Sequence, residues 1–126
     1  MLFFLMLWIF NPSAESCEDS LLKERAISFA KKYSSGSDVV LKEWFTKSAL
    51  NTQFIKEKHH LDFFNYTYTQ AKDNKGIKTI KVALDSAKSC DQCAVSTTIE
   101  FNSKSQPFEG TECWSLEEGQ WKISDK

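Results

Sequence analysis

Residues 17–126 predict an α+β domain, with two or three N-terminal helices packed on a curved, four- to five-stranded antiparallel sheet. Two observations carry that expectation. The apolar residues recur at helical spacing from Leu22 to Phe45 and then alternate as in strands after Phe64. Only four glycines and two prolines are present, which favours regular elements over disorder.

The first helix opens at Glu18 and Asp19, where negative charge suits the helix dipole. Leu22, Ala26, Phe29, Ala30 and Tyr33 form its buried stripe. Lys31 and Lys32 fall in the last turn, and Ser34-Ser35-Gly36 stops it. Ser37 caps a second, short helix whose apolar face is Val40, Leu41, Trp44 and Phe45. A third turn or short helix is predicted over 52–60, with Phe54 and Ile55 facing inward.

Phe64, Tyr66 and Tyr68 alternate with Asn65, Thr67 and Thr69, which predicts a first strand. Asp73-Asn74-Lys75-Gly76 is a turn signal. Ile77, Ile80, Val82 and Leu84 mark the next strand, and Val95, Thr97, Ile99 and Phe101 the one after. Asn102 to Pro107 turns the chain. Phe108, Trp114 and Leu116 form a further strand, Glu117-Glu118-Gly119 turns again, and Trp121 and Ile123 close the last strand.

Three features of this series resemble the cone-shaped nuclear transport factor two-like superfamily. The first helix ends in Lys31-Lys32-Tyr33, the second carries Trp44-Phe45, and the meander ends in Glu117-Glu118-Gly119-Gln120-Trp121-Lys122-Ile123. Small exported bacterial proteins similar to that superfamily often end in Gly-x-Trp-Lys-Ile, which Gly119-Gln120-Trp121-Lys122-Ile123 matches. Members usually place an extra helix between early strands. No helical period stands between Phe64 and Leu84, and that removes the support for a deep pocket.

Met1 to Phe10 is an unbroken apolar run, followed by the small and polar residues 11–16 and then Cys17. This is the layout of a cleaved export signal over 1–16, and it implies a periplasmic or extracellular protein. The run is too short for a membrane crossing, which needs about 20 apolar residues. A lipid anchor at Cys17 is not expected, because Ala14 stands where a lipobox needs a large aliphatic residue. From Cys17 onward the charges balance. No basic stripe exists for a nucleic acid backbone, and no cationic amphipathic helix for a membrane surface.

Four cysteines in an oxidising compartment predict disulfides. Cys90 and Cys93 form a C-x-x-C, but strand residues follow it. It therefore lacks the helix N-terminus that activates a redox thiol. Three pairings are possible. The expectation is Cys90–Cys93 with Cys17–Cys113; the rival bonds Cys113 to Cys90 or Cys93 across neighbouring strands. A zinc site usually shows two paired motifs, and only one is present, so no metal or other cofactor is expected.

His59-His60 reads as a solvated helix end near C-terminal carbonyls. Asp85, the one acid inside a strand pattern, reads as facing solvent. The aromatic residues Trp44, Phe45, Phe101, Trp114 and Trp121 could line a pocket or an interface. No catalytic motif emerges. The expected function is a small exported, non-enzymatic binding domain that takes a protein partner or a small apolar ligand. One alternative is a periplasmic inhibitor or immunity-type protein that neutralises a partner enzyme. The other is a ketosteroid-isomerase-like pocket enzyme with Asp85, Asp62 or His60 as base. A buried acid in an apolar cavity would favour the enzyme. An exposed patch, for which Glu109-Gly110-Thr111-Glu112 and Glu117-Glu118 are candidates, would favour partner binding.

Overall fold

The computed structural model describes residues 17–86 and 88–126. The leader expected over 1–16 lies outside them. The elements are α1 (Ser20–Ser34), α2 (Leu41–Trp44), α3 (Lys47–Leu50), α4 (Gln53–Lys56), α5 (His59–Asp73), β1 (Ile77–Leu84), β2 (Cys93–Phe101), β3 (Phe108–Glu117) and β4 (Gln120–Ser124). The strands form one antiparallel meander in the order β1-β2-β3-β4. All helices among the described residues precede the sheet and cover one of its faces. The architecture is the predicted α+β one.

α1 forms as the sequence predicts, and Leu22, Ala26, Phe29, Ala30 and Tyr33 are all buried. Asp19 caps it. Its Oδ1 accepts from the Leu21 N–H at 3.0 Å, while its Oδ2 accepts from the Trp121 indole at 2.9 Å. One side chain thus fixes both the helix start and its place on β4. Arg25 adds a second tie. Its guanidinium donates to the Trp121 and Glu43 carbonyls and lies 4.0 Å from the centre of the Trp44 ring.

The main departure from expectation is α5. The segment read as a strand through Phe64, Tyr66 and Tyr68 is helical, and the helix expected over 52–60 shrinks to the single turn α4. The inward residues of α5 are His60, Phe63, Phe64, Thr67 and Ala71, which recur at helical spacing. Tyr66 is 55% exposed and Tyr68 38%, so the aromatic alternation had no buried face. Tyr33 of α1 stacks on Phe64, with ring centres 5.6 Å apart and an interplanar angle of 6°. Gly36 lets α5 approach, because a Cβ there would stand 2.8 Å from the Tyr68 ring.

The sheet has a wet face and a dry one. Val95, Thr97, Ile99 and Phe101 of β2 are buried, with Trp114 of β3 and Trp121 and Ile123 of β4. The opposite face is polar. There Thr79 and Lys81 meet Glu100, and Asp85 accepts from Ser96 Oγ at 3.0 Å.

The disulfides join Cys17 to Cys93 and Cys90 to Cys113, which overturns the favoured pairing. The strand register gives the reason. Cys93 lies opposite Trp114 on the dry face, toward the start of α1 and hence Cys17. Cys113 lies opposite Ala94 on the wet face, where Cys90 reaches it from the loop. Crossing from loop to strand sends the two members of the C-x-x-C to opposite faces. The rival pairing thus holds for Cys113.

Candidate functional site

β4 ends at Ser124, opposite Cys113. Among the described residues the first half of β3 has no partner on that side, which leaves that stretch of the sheet edge open. Thr46 anchors the neighbouring wall. Its N–H donates to the Ile123 carbonyl at 2.9 Å, and its Oγ1 accepts from the Ala49 N–H at 3.1 Å to cap α3. α3, α4 and the first turns of α5 then arch over the gap. Between them and the sheet lies a cavity of about 430 Å³ that opens to solvent.

Its walls are apolar, with Phe29, Phe45, Phe54, Phe63 and Phe64 as the principal surfaces. Phe29 is packed edge-on against Phe45 and Phe64, at centroid distances of 5.8 and 5.9 Å. Phe54 is half exposed and stands at the rim.

Glu112 lies on the inner wall. It shares the strand face of Trp114 and pairs with Val95. The residue keeps some exposed surface, but its carboxyl is densely surrounded. Burial pushes that carboxyl up to about 7, against a hydrogen bond from Thr97 that works the other way. Tyr33 lies on the core side of the same carboxyl. Its phenol is pushed upward by burial and, secondarily, by the charge of Glu112.

His60 stands across the cavity, only 5% exposed. Burial lowers its pKa, the Phe54 backbone opposes that, and the charge of Lys58 adds to the lowering. Its Nδ1 is buried without a hydrogen-bond partner. The ring also borders a second groove, lined by Gly36, Leu61 and Tyr68. His59-His60 thus sits at the N-terminal start of α5 and not near a helix's C-terminal carbonyls; His59 is exposed as expected, whereas His60 is buried.

A crystal structure of a Campylobacter jejuni protein described as an NTF2-like transpeptidase superposes on this chain with a TM-score of 0.64. The match covers 82% of this chain and 96% of that one, at 17% sequence identity. The fold is NTF2-like. No protein-family model matches the chain, and no curated protein does.

Within this NTF2-like frame the predicted aromatic residues divide. Phe45 lines the cavity, whereas Trp44, Phe101, Trp114 and Trp121 are core residues, each 5% exposed or less. Asp85 is on the far face of the sheet, bonded to Ser96, and Asp62 points to solvent from α5. Of the three expected bases, only His60 reaches the cavity. Glu112 turns inward, so the expected acidic patch over 109–112 is divided between the two sheet faces. Among the described residues no group of three or more His, Cys, Asp or Glu could hold a metal ion, and no helix is long and apolar enough to cross a membrane. All four cysteines are bonded, which suits an oxidising environment.

Proposed function

We propose that this protein is an exported binding domain that holds a small, largely apolar ligand in the cavity between the sheet and α3–α5. The phenylalanine-walled opening of about 430 Å³ carries this reading. Its volume suits a small molecule, and Glu112, the deeper of the two acids in its lining, offers a polar anchor. The paired disulfides support export, because such bonds persist outside the reducing cytosol.

The test uses a neutral fluorescent probe, 1-N-phenylnaphthylamine, titrated into the oxidised protein. Saturable enhancement is expected. Thr52→Trp places a large ring at the cavity wall and is expected to weaken binding at least tenfold with the fold intact by circular dichroism. Unchanged binding in that variant would put the probe elsewhere and sink the reading.

A second reading rests on Glu112 alone. A carboxyl that titrates near neutrality in an apolar cavity is suited to abstract a proton next to a carbonyl. Deuterium uptake from heavy water by a bound carbonyl compound, lost in Glu112→Gln, would support the enzyme over the binding module.

A further inference from the structure

We infer that the ligand class of this cavity is a small organic ammonium ion with an apolar body, its charge against Glu112 and its body against the phenylalanine faces. The inference rests on the cavity being the binding site, and it adds the sign of the ligand's charge.

The charge balance of the wall points that way. Among the described residues lining the cavity, Glu112 and Asp125 are acidic and none is Lys or Arg. Asp125 is exposed at the mouth, where its Oδ2 accepts from Ser48 Oγ at 3.1 Å. Glu112 is deeper and has no cationic partner in the wall. Its neighbours are Thr97 of β2 and Tyr33 of α1, and His60 of α5 lines the same cavity. None of the three supplies a cation: the phenol stays protonated, and burial keeps the imidazole neutral.

The aromatic wall agrees. Phenylalanine faces carry negative quadrupole density and attract cations, most strongly where water is excluded. An anion would meet both those faces and two carboxyls. A neutral apolar ligand would leave Glu112 partly protonated near pH 7. An ammonium ion instead favours the ionised form, so binding near pH 7 expels the proton from those molecules that still carry it.

The experiment compares 2-phenylethylammonium with its neutral counterpart 2-phenylethanol by calorimetry on the oxidised protein at pH 7. Two buffers of different ionisation enthalpy report proton release. The amine is expected to bind at least tenfold more tightly and to release about half a proton per molecule bound. Glu112→Gln is expected to weaken the amine at least tenfold and to abolish the proton release. Equal binding of amine and alcohol, or amine binding indifferent to Glu112→Gln, would overturn the charge assignment while the cavity stands as a binding site. Binding of neither compound would overturn the cavity reading together with it.

Discussion

At the scale of single residues, Glu112 sets a conflict between the fold and the charged state of the site. Its carboxyl titrates at 4.5 in an open chain and near 7 in the fold, so the folded protein holds that proton more tightly. The sign follows from linkage. The contribution to stability is full below pH 4.5 and is lost as pH rises through about 7. Its size is on the order of 2 kcal/mol, after discounting for the solvent the residue still touches. His60 runs the opposite way, since its lowered pKa removes stability as pH falls below 6.5. Comparing wild type with Glu112→Gln cancels that term. Urea unfolding is expected to show the variant equal to wild type near pH 4 and more stable by about 2 kcal/mol at pH 8. Equal stability at both pH values would show that the carboxyl is not desolvated. The parity of β3 makes this residue legible: Glu112 lies two positions from Trp114, so a strand that buries one side chain turns the other inward. Reading 109–112 as a solvated patch overlooked that alternation.

At the scale of elements, the sequence is legible where period and punctuation agree. α1 has an apolar stripe, an acidic cap and a glycine stop, and it forms as read. β2 and β4 alternate cleanly, β2 running into the bend at 102–105 and β4 starting from the turn at Glu118-Gly119. α5 lacks such punctuation at its start. Its N-cap is Lys58, which has φ 61° and makes no capping bond from its side chain. Its composition also misleads, because aromatic and threonine residues favour strands. Packing against α1 overrides that preference through Tyr33, Phe63 and Phe64. Lys58 is therefore held in the left-handed region by the tertiary structure rather than by its own preference. Lys58→Gly is expected to stabilise the protein by about 0.5–1 kcal/mol in urea unfolding, since glycine adopts that conformation freely. A loss of stability would mean that the lysine side chain supports the turn. The site was harder to read than the fold, because its roof is α4 and α5. A chain read with a strand in place of α5 has no roof and hence no cavity.

At the scale of the molecule, one disulfide fastens the segment before α1 to β2, and the other ties the loop before β2 to β3. The Cys17–Cys93 bond spans 76 residues and the Cys90–Cys113 bond 23. Chain entropy assigns about 4 kcal/mol to the longer closure. The double variant Cys17→Ser, Cys93→Ser is expected to lose roughly that much in denaturant unfolding and to free the start of α1. A loss under about 1 kcal/mol would place the weight of that junction on Asp19 and Trp121 instead.

The two bridges also interleave along the chain. Numbered by position, the first cysteine bonds the third and the second bonds the fourth. An oxidant that joins thiols as they emerge would link Cys17 to Cys90 and then Cys93 to Cys113, and both links are foreign to the folded state. Correct closure therefore waits until the meander has aligned Cys113 beside Cys90, or passes through thiol exchange between the paired cysteines. Maturation in this protein is in that sense governed by topology: the sheet must choose the partners before the covalent bonds record the choice.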